Sequence, residues 1–85
     1  MTTSEQRVAV VIPAKDEQDR IAATIRAARA IPHVDLVVVV DDGSEDDTQK
    51  AARDAGATVV RHSVNRGKAS AMETGAQVAA MRDTR

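Results

Sequence analysis

The segment Leu36-Val37-Val38-Val39-Val40-Asp41-Asp42-Gly43-Ser44-Glu45-Asp46-Asp47-Thr48 limits the folds open to this chain more than any other. A five-residue apolar run ends abruptly in two carboxylates, a glycine and a helix cap. An unbroken apolar run rich in β-branched residues suits a strand buried on both faces, as in a parallel sheet. Acids at the end of such a strand stand at the carboxyl edge of the sheet, where open α/β folds bind ligands. The segment therefore predicts a fold class and the position of a site together.

The rest of the chain alternates in the same sense. Val8-Ala9-Val10-Val11-Ile12, closed by Pro13, reads as a first strand, also buried on both faces. Ile21, Ile25 and Ala28 recur at helical spacing. Asp16, Glu17 and Asp19 crowd the start of that helix, Arg26 and Arg29 lie near its end as the helix dipole favours, and Pro32 stops it. The second strand is Leu36 to Val40. Ser44 and Asp47 have the spacing of a capping box, opening a short helix through Ala51, Ala52 and Ala55 with Gly56 at its C′ position. Thr58-Val59-Val60-Arg61-His62 is a third strand and Asn65-Arg66-Gly67-Lys68 a loop. A third helix follows, with Ala69, Met72, Ala76 and Ala79 predicted as its buried stripe and Gly75 as its weak point. The order βαβαβα implies a parallel sheet with crossover helices. The pattern asks for another strand after Met81, so the chain reads as the first half of a larger domain or a truncated product. A polar, disordered segment 1–7, a domain over 8–81 and a tail over 82–85 are expected.

Composition narrows the function classes. The 85 residues include no aromatic residue and no cysteine, so Val, Ile, Leu, Met and Ala must build the core. A chain this short buries roughly 60–65% of its unfolded surface. Twelve basic and thirteen acidic side chains give net charge −1, which offers no general affinity for nucleic acid or an anionic membrane. The absence of cysteine suits a cytoplasmic protein. No signal peptide is expected at the N-terminus, and the longest apolar run is far short of the ~20 residues that span a bilayer.

Several groups are candidates for chemistry. Asp41 and Asp42 are adjacent in a strand and so point to opposite faces; one of them suffices to face a ligand. Either could accept hydrogen bonds from a nucleobase or ribose or ligate a metal, although Asp-Asp-Gly-Ser is also a good turn by itself. Asp16 and Glu17 could bind a ligand beside them or simply favour the helix start. Arg66-Gly67-Lys68 precedes a helix N-terminus, which suits phosphate, but the spacing is not that of a P-loop. Arg61 and His62 are expected to be solvated strand-end groups, and Met72 and Met81 to fill the core. The two scattered histidines suggest no metal cluster, and no Gly-x-Gly-x-x-Gly follows the first strand. Carboxylates from two strand ends, with a cation at a helix start, describe a nucleotide pocket.

Three motifs in order, Val10-Val11-Ile12-Pro13-Ala14-Lys15-Asp16-Glu17, Val39-Val40-Asp41-Asp42-Gly43-Ser44-Glu45-Asp46-Asp47-Thr48 and Asn65-Arg66-Gly67-Lys68-Ala69-Ser70-Ala71-Met72, resemble the opening of a family 2 glycosyltransferase. The chain is similar, less closely, to glucosyl-3-phosphoglycerate synthases and polyprenyl-phosphate sugar transferases. The resemblance runs from Val8 to about Ala80. It implies a GT-A fold, whose first half is a Rossmann-like three-layer unit. It also implies that Pro13, Ala14 and Glu17 line the nucleoside pocket, that Asp41 and Asp42 hold base and ribose, and that Gly67 and Lys68 approach the ribose-phosphate side. Asp16 stands where the family has Asn, and Lys15 where it often has Tyr or Leu.

The family's Asp-x-Asp motif, which binds Mg²⁺ or Mn²⁺ on the diphosphate, follows the next strand and is absent from these residues. The resemblance thus implies a metal ion in a full-length enzyme and none bound by this chain alone. The partners expected are a nucleotide-diphosphate sugar and an acceptor of unknown identity. Two rival classes share some of these features. A non-catalytic nucleotide-binding module or degenerate remnant needs the pocket but no metal. A receiver-like signalling domain clusters acids at strand ends but asks for an Asp after the third strand, which this chain lacks.

Overall fold

A computed structural model describes residues 7–82 of the chain. It contains β1 (Val8–Ala14), α1 (Ile21–Arg29), β2 (Val34–Asp42), α2 (Thr48–Asp54), β3 (Thr58–His62) and α3 (Lys68–Arg82). The three strands form one parallel sheet in the order β1-β2-β3. The central β2 carries the apolar run, and Val38, Val39 and Val40 are completely buried. Each valine taken fully out of water stabilises the fold by about 1.5–3 kcal/mol.

Alternate β2 residues serve opposite layers. Val37 and Val39 pack with Ile21, Ile25 and Ala28 of α1 and Ala52 of α2, while Val38 and Val40 pack with Ala71 of α3. The result is the three-layer βαβαβα unit read from the sequence, with α1 and α2 on one face and α3 on the other. Among the described residues no helix is long and apolar enough to cross a membrane. Of the expected terminal segments, residues 1–6 and 83–85 lie outside the described residues; Arg7 pairs with Asp35 at 3.8 Å and Arg82 closes α3.

Several local expectations are corrected. β1 is an edge strand of this sheet: Val8 is 40% exposed and Val10 to Pro13 are only partly covered. That edge position is also why the strand runs through Pro13, whose missing N–H is tolerated where no neighbouring strand needs it. β2 extends past Val40, so Asp41 and Asp42 lie within the strand, in register with Arg61 and His62 of β3. The acids Asp16, Glu17 and Asp19 precede α1, whose first turn contains none. Ser44 and Asp47 form no capping box. Asp46 instead accepts the N–H of Thr48 at 2.9 Å and its hydroxyl, while Gly56 takes the C′ position at φ 97° as expected.

The buried side of α3 is also displaced from the expected stripe. Ala71 and Gly75 face the sheet, whereas Ala69, Met72 and Ala76 are exposed. Met72 and Met81 are therefore not core filler; Met81 is 74% exposed. Gly75 is not a weak point but a contact. A Cβ there would come within 2.2 Å of Val11 Cγ1, so the missing side chain lets the helix lie close on the sheet.

Candidate functional site

Adjacent strand residues point to opposite faces, and the two acids at the end of β2 divide accordingly. Asp41 is fully buried. Its Oδ1 accepts the N–H of Ser44 at 3.0 Å and its Oδ2 the Arg61 guanidinium at 2.9 Å. Arg61 also donates to the Ser44 carbonyl at 2.9 Å, closing the turn after β2. Arg61 is thus exposed, as expected of a strand-end group, and at the same time the partner of the buried acid.

Asp42 turns toward α3. Its Oδ1 accepts the N–H of Arg66 at 2.9 Å and its Oδ2 that of Gly67 at 2.9 Å. His62 Nδ1 lies 2.8 Å from Oδ1, and His62 Nε2 lies 2.9 Å from Thr74 Oγ1. These donors, the Arg66 N–H first and His62 next, hold the Asp42 carboxyl below its ordinary value against the opposing effect of burial. His62 is itself buried, again not a solvated group. Two backbone N–H groups expected to serve a phosphate at Arg66 and Gly67 are therefore already engaged by Asp42.

The β1–α1 loop is stitched to the β2–α2 loop by reciprocal hydrogen bonds. Ser44 Oγ accepts the N–H of Asp16 at 2.8 Å, and Asp16 Oδ1 accepts the N–H of Glu45 at 2.9 Å. Thr48 Oγ1 accepts the N–H of Glu17 at 2.7 Å. Asp46 Oδ2 takes the N–H of Gln18 at 3.2 Å, and Gln18 Oε1 that of Asp47 at 2.8 Å. The Glu45 N–H and the Lys15 ammonium together lower the Asp16 carboxyl, and the Thr48 hydroxyl lowers that of Asp46. Asp16 adopts φ 54°, a backbone region in which Asn and Asp are enriched among side-chain-bearing residues.

Between these loops and α3 lies a concavity of about 300 Å³ at the carboxyl ends of β1 and β2. Six of the seven residues proposed from the sequence line it: Pro13, Ala14, Glu17, Asp42, Gly67 and Lys68. Asp41 does not, because it belongs to the opposite face. Lys15, Asn65 and Ala71 complete the wall and were missing from the sequence-based set. Asn65 begins the Asn-Arg-Gly-Lys turn, and Ala71 lies three residues beyond Lys68, so helical spacing alone puts it on the same side. Two larger hollows, of about 390 and 340 Å³, lie at the opposite edge around Asp35, Leu36 and Arg82. They border the ends of the described chain and lie away from the edge where parallel sheets bind ligands.

The donor set does not suit a divalent cation. Every carboxylate oxygen of Asp41 and Asp42 already accepts at least one N–H donor, and Glu17 Oε1 accepts Arg20 at 2.8 Å. Among the described residues no three acids or histidines gather as metal ligands. What the concavity can offer is a carboxylate pair, two cations and an apolar floor.

Comparison with known proteins gives a consistent outcome. The chain is 37% identical over 76 residues to a Methanocaldococcus jannaschii protein of uncharacterised function, covering 89% of this chain and 31% of that protein. It is 44% identical over 69 residues to the succinoglycan biosynthesis protein ExoU of Rhizobium meliloti, covering 75% of this chain and 20% of that protein. Among solved structures, glucosyl-3-phosphoglycerate synthase of Mycobacterium tuberculosis matches with TM-score 0.69 and 32% identity, over 81% of this chain and 28% of that one. That structure is a complex with Mn²⁺, uridine diphosphate and glucosyl-3-phosphoglycerate. The chain thus spans less than a third of each of these relatives. The model of glycosyl transferase family 2 matches residues 9–81, and the chain belongs to that family.

Proposed function

We propose that this chain is the nucleotide-recognising part of a glycosyltransferase that moves a sugar from a nucleotide-sugar donor to an acceptor hydroxyl or phosphate. The observation that carries the proposal is the convergence of Glu17, Asp42 and Lys68 on one concavity at the carboxyl edge of the sheet. In this reading Pro13 and Ala14 form the floor under the nucleoside, and Glu17 contacts it. Asp42 reads the base or ribose, and Gly67 with Lys68 faces the phosphates. Asp41 supports the turn from behind.

The likeness to a synthase solved with uridine diphosphate favours a uridine nucleotide. So does the state of Asp42. A carboxylate oxygen has two accepting positions. Oδ1 has both occupied and Oδ2 only one. The single remaining position suits the one N–H of a uracil edge better than the two adjacent donors of guanine.

Departure of a nucleoside diphosphate requires charge neutralisation. Lys68, with Lys15, supplies part of it. We assign the divalent ion, Mn²⁺ or Mg²⁺, to the longer protein and not to these residues. We also assign the protein to the cytoplasm, which the lack of cysteine supports. A non-catalytic nucleotide-binding module, which needs the pocket but no metal, is the second reading, favoured by the hydrogen bonds that already engage the Asp41 and Asp42 carboxylates.

Titration of the purified chain with UDP and GDP, each with and without Mn²⁺, tests the proposal. UDP should bind more tightly than GDP, and the chain alone should transfer no sugar from UDP-glucose. Absence of binding by either nucleotide refutes the pocket assignment. Turnover by the 85 residues refutes the partition between recognition and catalysis. In a longer form that includes the next strand, Mn²⁺-dependent UDP affinity distinguishes an enzyme from a binding module.

A further inference from the structure

His62 takes no part in the reading above, yet it is the most enclosed ionisable ring in the molecule, 7% exposed at the end of β3. Its two nitrogens have different partners. Nδ1 meets Asp42 Oδ1 at 2.8 Å and Nε2 meets Thr74 Oγ1 at 2.9 Å. An ionised carboxylate only accepts, so Nδ1 carries the hydrogen. In the neutral ring Nε2 then accepts from the Thr74 hydroxyl.

These bonds close a circuit. Thr74 lies in the second turn of α3, His62 ends β3, and Asp42 ends β2. Arg66 and Gly67, whose N–H groups reach Asp42 at 2.9 Å, immediately precede α3. The helix is therefore tied to its own entry turn through an imidazole and a carboxylate. Asp42 and Gly67 are both in the wall of the concavity, and Lys68 follows directly. The two amides hold one carboxylate oxygen each, and the His62 Nδ1–H adds a third fixed point, on Oδ1, to a side-chain bond whose torsion is otherwise soft. Without that third point the carboxylate can tilt about this bond, which strains the bonds to the two amides and alters the direction in which Oδ2 is presented.

We propose that His62 is a positioning residue of this pocket: its Nδ1–H fixes the rotation of the Asp42 carboxylate, and with it the Asn65–Lys68 turn, so that one defined oxygen remains to accept from the nucleotide. The identity of the ligand rests on the reading given under Proposed function; the clamp itself does not.

Three measurements on the 85-residue chain test it. The first uses the unmodified chain. Nitrogen-15 shifts of the His62 ring should show Nδ1 protonated; a neutral ring with hydrogen on Nε2 alone overturns the proposal. The second compares His62→Asn, whose amide nitrogen replaces Nδ1, with His62→Gln, whose amide nitrogen replaces Nε2. Amide exchange at Arg66 and Gly67 should stay slow in His62→Asn and accelerate about tenfold or more in His62→Gln, as expected for loss of a bond to a charged acceptor. Equal rates in the two variants overturn it. The third is UDP titration of the same proteins, where affinity should follow the exchange rates. If the unmodified chain binds no UDP, the nucleotide reading falls, while the tautomer and the exchange contrast still decide the role of His62.

Discussion

Two glycines flank the Asp42 clamp, and replacing each with alanine separates backbone strain from close approach. Gly43 has φ 80°, and a Cβ there would stand 2.7 Å from the Asn65 backbone nitrogen and 3.0 Å from the Val64 carbonyl carbon. Gly67 has φ 96° with nothing within 4 Å of the same atom. Both substitutions incur the left-handed backbone cost of about 1–2 kcal/mol. Only Gly43→Ala adds a clash, and its partner is backbone, so no rotamer change relieves it. Overpacking of that kind costs about 1–3 kcal/mol. Gly67→Ala should therefore lose about 1–2 kcal/mol and Gly43→Ala about 2–5 kcal/mol. A domain of 85 residues has only about 4–13 kcal/mol of stability in total. Urea denaturation at constant m-value reads the difference, and a melting temperature lower by about 4–8 °C per kcal/mol provides a check. Losses that are equal, or larger for Gly67→Ala, refute the argument that Gly43 is required by the approach of the Asn65 turn.

Further outcomes follow from the site. Thr48→Val keeps shape but leaves the part-buried Glu17 N–H without its acceptor, so stability should drop by about 1–3 kcal/mol and UDP affinity should weaken; unchanged values in both assays contradict the stitching of the two loops. Arg61→Ala strips the fully buried Asp41 of its cation and should cost roughly 1–3 kcal/mol, less than for a fully buried pair because Arg61 is 39% exposed; Arg61→Met with Asp41→Leu should recover part of it in the same denaturation assay. Asp16, Asp42 and Asp46 are each held below the ordinary value of 3.8. The unfolded chain then takes up protons at higher pH than the folded one. Stability should be intact above about pH 5 and fall progressively through pH 3.8 and below, and urea midpoints measured across that range check the sign.

The layer order was readable in the chain because each element carries its own period. The unbroken β-branched run of β2 and the Ile21, Ile25, Ala28 spacing of α1 leave little choice of conformation, and three successive strand–helix units make a parallel sheet. The location of the concavity also followed, since a parallel sheet presents the ends of its strands, and hence Glu17, Asp42 and Lys68, on one edge. Strand alternation even required that Asp41 and Asp42 part company, but nothing local says which faces α3.

That choice was made by tertiary packing. Gly75 lets α3 settle on Val11 and Val40, and its entry turn then supplies N–H groups to Asp42 and leaves Asp41 to Arg61. The same contact moved the buried side of α3 to Ala71 and Gly75, away from the expected stripe of Ala69, Met72, Ala76 and Ala79, because the closest approach to the sheet falls at the residue without a side chain. The partners of Ser44, Asp46 and Thr48 lie about 30 residues away in sequence, and His62 finds Thr74 only across the β3–α3 loop. Hydrogen bonds between loops carry no periodic signature in the chain; they exist only once strand register has brought the donors and acceptors together.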